Sequence, residues 1–300
     1  MVRETLRQLG PATRPARVAM ATAVVWAASA LVHVSVFAVD GGSWAGPVSW
    51  RKPIVFSASI ALLLWAVGWM LDRMPVARPR LAGLLAWSLA VTSTVETALI
   101  VLQTWRGRAS HFNVFDPTDA MVFGIMGAMV GLMALGLLVL LVWTLVERPA
   151  DPATRWAVLG GLVMIASGLG IGRWLVELGT TYTERFGVVP DVVTNGDAVV
   201  KFPHAVAFHG IQIFALVLAL GVATGLSPTR RLLAVRVAVA GYAGVLLFAI
   251  STSVAGLPAD VLASWSVTLL VASDAAIAAA VALPLVAALH RRRVPASLPA

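Results

Sequence analysis

Apolar runs long enough to cross a bilayer recur along the whole of this 300-residue chain, and no other feature restricts its fold so tightly. A hydrocarbon core of roughly 30 Å is crossed by about 20 helical residues. Inside it every backbone N–H and C=O must be paired within the segment or within a closed barrel. Runs of this length select helices. Eight spans are expected, at 17–39, 53–71, 81–105, 118–146, 156–178, 203–226, 232–254 and 262–289. The expected fold class is all-α, a polytopic transmembrane helix bundle formed by one integral membrane domain over residues 1–300, with both termini cytoplasmic. Composition agrees, because only 12% of residues are charged, against roughly 25% in soluble domains.

The chain has no cysteine, which removes disulfides, thiolate catalysis and Cys-ligated zinc or iron–sulfur sites. Net charge is +8, but the basic residues sit beside span ends and form no stripe, so no nucleic-acid partner is expected. Arg3, Arg7, Arg14 and Arg17 precede the first run as in a signal peptide, yet 18–39 exceeds an h-region and lacks a convincing cleavage site. An uncleaved first helix is expected.

Helix starts carry their own chemistry. Asp116-Pro117, Asp151-Pro152 and Ser227-Pro228 each put a capping side chain before a proline at the first helical position. Gly127/Gly131, Gly168/Gly172 and Gly221/Gly225 have the small-xxx-small spacing that lets helices approach closely. With the N-terminus inside, 14 Arg fall on inner segments and 6 Arg or Lys on outer ones, the bias expected of a cell (inner) membrane protein with both ends in the cytoplasm. A lysine and a proline open both the second and the sixth spans on the outer side, the one hint of a 4+4 parallel duplication.

The polar residues within the spans are the functional signal, because ionisable groups in hydrocarbon are costly. Counted at 1.5 Å per residue from the outer ends, His33 and His209 lie about 9 Å deep, Arg173 about 8 Å, Glu96 and Gln212 about 13 Å and Asp274 about 18 Å. Glu96 and Gln103 share a helix face, with Arg106 following and His111 and Asn113 in the next loop. Arg173 and Glu177 are four apart and able to pair. His204 and His209 point about 140° apart, which directs His209 with Gln212 into the bundle and His204 toward the mouth or interface. Each has a plainer reading as a packing residue, a structural ion pair or a solvated loop.

The pattern Glu96-x6-Gln103-x2-Arg106-Gly107, then Ser110-His111-Phe112-Asn113, with Ser49-Trp50-Arg51-Lys52-Pro53 and His204-x4-His209-x2-Gln212, resembles a group of uncharacterised bacterial multi-span membrane proteins. That resemblance implies an outer-side site without naming its chemistry.

The leading expectation is an outward-opening polar pocket that binds a small ligand, metal ion or haem. In it Glu96, His209 and Arg173 are candidate catalytic residues. Arg106, His111, Asn113, Gln103, Gln212 and Glu177 are ligand contacts, and His33, His209 and Glu96 form a candidate metal set. Partners would be the lipid bilayer and a small molecule or ion from the outer side. A second class is a proton-coupled transporter or channel, suggested by Glu96, Arg173 and Asp274 stepping inward. A third is a sensor or assembly protein without chemistry. The lysines, Lys52 and Lys201, flank helix starts, which removes a retinal Schiff base, and no G-x-S-x-G elbow is present.

Overall fold

The computed structural model describes residues 1–75, 77–258 and 264–293. Nine helices lie among them: α1 Val2–Leu9, α2 Arg14–Asp40, α3 Arg51–Leu71, α4 Pro79–Trp105, α5 Pro117–Val146, α6 Pro152–Phe186, α7 Lys201–Ala223, α8 Pro228–Val254 and α9 Ser264–Arg293. Eight of them, α2 to α9, are long and apolar enough to cross a membrane. This is an integral membrane protein. The start of the eighth expected span and the basic side chains from His290 onward lie outside what is described.

The capping chemistry works as the sequence implies. Asp116 accepts from the amides of Thr118 and Asp119, Asp151 from Thr154, and Ser227 from Arg230, each just before a proline. Two features depart from expectation. Helix α6 runs to Phe186, well past 178, and stops at Gly187 in the left-handed region (φ 66°). The connection after it holds a two-stranded ribbon, Thr194–Asn195 against Ala198–Val199.

Packing divides the spans into two groups of four. In the first, α2 packs on α3 and α4, α3 on α4, and α4 on α5. In the second, α6 packs on α7 and α8, α7 on α8, and α8 on α9. The pairing pattern is the same, apart from an α7–α9 contact more extensive than any between α3 and α5. The same sequence spacing separates Lys52 from Lys201 as Pro79 from Pro228, so α3 answers to α7 and α4 to α8. The groups join through α5 against α6 and α3 against α7.

Only one of the three glycine pairs serves helix packing as expected. A Cβ at Gly168 or Gly172 would meet Phe208 or His204 of α7, so α6 and α7 approach closely there. Gly127 and Gly131 have nothing within 4 Å of such a Cβ, and Gly225 lies in a turn with φ 65°. The spacing alone does not say which face finds a partner helix.

The end of the bundle that carries Asp72, Glu147, Asp151 and Arg231 is called proximal, and the end with Trp50, Trp105, Asp119 and Lys201 distal. At the proximal end Arg231 pairs with Asp151 at 2.9 Å, and Arg78 pairs with Glu147. Helix α1 packs on α7, and the Trp65 indole of α3 donates to the Leu9 carbonyl at 3.2 Å. Asp72 accepts from the amides of Ala12 at 2.7 Å and Thr13 at 2.8 Å, and Arg73 donates to the Gln8 carbonyl. Helix α1 therefore lies across the proximal end of the α3–α7 seam.

Candidate ligand site at the distal end

Most of the polar motif after α4 converges on one buried carboxylate, Asp119, in the first turn of α5. Gln103 Nε2 donates to its Oδ1 at 2.9 Å and Asn113 Nδ2 to its Oδ2 at 3.0 Å. Arg106 reaches Oδ1 at 3.2 Å and also donates to Gln103 Oε1 at 2.5 Å. Arg108 stands 3.8 Å from Oδ2. Asp119 is 1% exposed. Gln103, Arg106 and Asn113 thus tie the 106–116 loop to α5. Sequence reading passes over Asp119, because an acid in the first turn of a helix is ordinary.

Between these anchors Phe112 adopts φ 59°, unusual for a residue with a side chain. Its ring is buried beside Phe123 and over Gly179 of α6, where a Cβ would come within 2.3 Å of Cζ. The loop thus wedges against the second half of the bundle. His111 packs on Phe56, Phe112 and Phe123 and shares a 2.9 Å hydrogen bond with the Ser110 hydroxyl.

Burial first, then the positive charges of Lys52 and Lys201, push the His111 imidazole down to about 3. It is neutral in the folded protein while the unfolded chain takes up a proton near 6.5. The unfolded state therefore binds more protons between those values, and stability falls as pH drops below about 6.5. The His111 contribution is at most about 1.4 kcal/mol per pH unit in that window. Unfolding midpoints of detergent-solubilised protein from pH 7.5 to 5 should decline, and the decline should be shallower in His111→Phe. Parallel pH profiles for the two proteins would remove this assignment.

His33 is fully engaged. Its Nδ1 lies 2.8 Å from the Ser29 carbonyl, and Trp105 donates its indole N–H to Nε2 at 3.1 Å. Accepting at Nε2 fixes the proton on Nδ1, and neither nitrogen is left for a metal. Trp50 completes an aromatic group, 5.0 Å from Trp105 between ring centroids, with its own N–H on Asp40 at 2.8 Å. Among the described residues no group of three His, Asp or Glu is placed to hold a metal ion. The set His33, His209 and Glu96 is not brought together as such a group, and His33 has both ring nitrogens engaged, by the Ser29 carbonyl and Trp105.

Other placements also differ from expectation. Arg173 and Glu177 are both exposed on α6, and no ion pair joins them. A four-residue spacing permits a pair without enforcing one. The two histidines of α7 differ in what they engage: His204 Nδ1 lies 2.9 Å from the Gly168 carbonyl on α6, so it packs on a helix and not at the mouth, while half-buried His209 makes no side-chain hydrogen bond among the described residues. The reason is Gly172, whose missing side chain leaves room for the His204 ring. Gln212 Nε2 donates to the Leu62 carbonyl of α3 at 3.3 Å, leaving its Oε1 buried without a partner. Glu96 is buried, with Oε2 unpartnered, and neighbouring Thr97 Oγ1 is also unpartnered. Asp274 is exposed on α9.

A second polar group gathers at the distal end of the α3–α7 seam. Lys52 and Lys201 begin the two corresponding helices, and each helix N-terminus adds its own positive dipole end. The Gln212–Leu62 hydrogen bond lies eleven residues into each helix, counted from Arg51 and from Lys201, so the two starts stand at the same level. Lys52 is 8% exposed, and one guanidinium nitrogen of Arg51 is buried without a hydrogen bond. Among the described residues none of the three has a carboxylate partner or a side-chain hydrogen bond. Both lysines are visible in the sequence as helix openers, but their meeting is not.

Two grooves are bordered by other residues than Arg51, Lys52 and Lys201, though the second adjoins Phe202, next to Lys201. One, of about 410 Å³, is bordered by Arg78, Trp143 and Glu147 near the proximal end. The other, of about 90 Å³, is bordered by Asp197, Phe202 and Thr252. Compared with known proteins, the chain matches no family model, no curated protein and no solved structure. The distal end must be read from its own geometry.

Proposed function

We propose that this integral membrane protein binds a small solute in a polar site at the distal end of the seam between its two four-helix groups. The observation that carries the reading is that Arg51, Lys52 and Lys201 stand at the level starts of α3 and α7, which pack together, without an ion-pair partner among the described residues. Burying like charges together is expensive unless something neutralises them. The cytoplasm would lie at the proximal end, supported by the excess of arginine on the segments there. His209 and Gln212, further along α7, line the route inward from this site, and Glu96 is held in reserve as a buried carboxyl in the first group. Gln103, Arg106 and Asn113 then serve the site indirectly, by fixing the loop that carries His111.

Transport of the solute is the second reading, favoured by the repeated packing of the two groups. Like halves meeting at one seam can rock against each other around a site between them. Helix α1 across the proximal end of the seam would be the closed side of such a cycle.

The cysteine-free chain suits a labelling test. His209→Cys, about 12 Å along α7 from Lys201, should react in sealed vesicles with a membrane-impermeant maleimide supplied at the distal side. Absence of reaction from either side would overturn the solute crevice. Reaction from both sides, in separately prepared vesicles, would select transport over a one-sided binding pocket.

A further inference from the structure

The geometry points to a phosphate-type oxyanion, free or as the phosphate of a lipid headgroup, as the ligand of Arg51, Lys52 and Lys201. This rests on the solute site proposed above and names the chemistry it would accept. Three formal positive charges stand at the starts of α3 and α7, which lie level because the Gln212–Leu62 bond falls eleven residues into each helix, and none forms an ion pair with an acid among the described residues. A single carboxylate would leave two of them uncompensated, whereas a phosphate or phosphate monoester brings close to two negative charges and several acceptor oxygens.

The donor types also fit. A guanidinium offers a planar fork to two oxygens, and each ammonium adds a compact point charge with three rotatable donors. Lys52 is 8% exposed and Arg51 holds a buried, unpartnered guanidinium nitrogen, so these are built-in donors and not mobile surface cations. They come from both four-helix groups: Arg51 and Lys52 from the start of α3, Lys201 from the start of α7. An anion held there would bridge the groups. His111 packs on Phe56, one turn along α3 from Lys52.

The structural alternative is that the lysines merely anchor helix ends at the membrane interface. The two accounts differ in the sign of a substitution. If the lysines await an anion, Lys52→Gln removes repulsion in anion-free buffer and should raise the unfolding midpoint there, while abolishing stabilisation by phosphate. If they are anchors, loss of the charge lowers the midpoint equally with and without phosphate.

The test is thermal unfolding of the purified full chain in detergent, in sodium phosphate against sodium chloride at matched ionic strength. The wild type should show a saturable phosphate-dependent rise. The apparent affinity should fall at least tenfold in Lys52→Gln and in Lys201→Gln, be retained in Lys52→Arg, and be unchanged in Arg185→Gln. A second arm uses nanodiscs of phosphatidylcholine with and without phosphatidic acid. Stabilisation by the anionic lipid alone, lost in the lysine variants, assigns the oxyanion to a headgroup; stabilisation by inorganic phosphate assigns it to a free solute. No response to phosphate or phosphatidic acid, or a response that the lysine variants keep, overturns the proposal. A phosphate response with an unreactive His209→Cys would leave the anion site standing and remove the solute crevice around it.

Discussion

Asp119→Ala is expected to be among the most damaging single substitutions in this protein, costing about 3 kcal/mol. The carboxylate is the common acceptor for Gln103, Arg106 and Asn113, and it is itself buried. Removing it strands two amide donors inside the protein and leaves Arg106 without its ion pair. A stranded buried donor costs more than the bond it made was worth, because the water it gave up is not restored. The partial exposure of the two arginines keeps the estimate at the lower end of the range for broken buried pairs. Asp119→Asn should fall between, since one of its two positions still accepts while the other presents an N–H to a donor. Two measurements check this: the unfolding midpoint, and new tryptic cleavage after Arg106 or Arg108 once the loop is released. An Asp119→Ala protein with wild-type stability and an uncut loop would show that the loop is held by Phe112 alone.

Gly161→Ala should cost about 1–3 kcal/mol, through sterics instead of charge. A Cβ there would sit 2.2 Å from Ile211 Cδ1, 2.8 Å from Cγ1 and 2.9 Å from Cβ. The last of these contacts matters most: a rotamer change moves Cδ1 but not Cβ, so α6 and α7 must separate. Gly170→Ala in the same helix has nothing within 4 Å and should be neutral or slightly stabilising, since alanine is the better helix former by about 1 kcal/mol. Adding Ile211→Ala to Gly161→Ala should recover part of the loss, and a double-mutant cycle would measure the coupling. Equal effects of Gly161→Ala and Gly170→Ala would mean that the α6–α7 approach is looser than these distances state.

Both substitutions bear on the proposed site. The Asp119 clamp holds the loop whose His111 packs on Phe56, one turn along α3 from Lys52, and the α6–α7 contact sets where α7 delivers Lys201. Damage at either position should reach the anion response described above without touching a cation of the cluster.

The number of spans, their helical nature and the chemistry of several helix starts are legible in the sequence before the chain folds. Those properties are local: twenty apolar residues pair their own backbone, and Asp116, Asp151 and Ser227 reach amides within three residues of themselves. It also identified Gln103, Arg106, His111 and Asn113 as a coherent group, because costly polar residues at close spacing are not accidental in such a chain. Their partner was out of view. Whether Gln103 turned to a ligand or to Asp119 depended on how α5 leans against α4, and a side chain's burial is set by neighbours that periodicity does not name. The same holds for Arg173 and Glu177, which share a face but find only the surface, and for His204, which turns to α6 because Gly172 leaves a gap for its ring. Most of all, the meeting of Lys52 with Lys201 belongs to the tertiary structure, since only the packing of α3 on α7 brings two helix starts from opposite halves of the chain to one place.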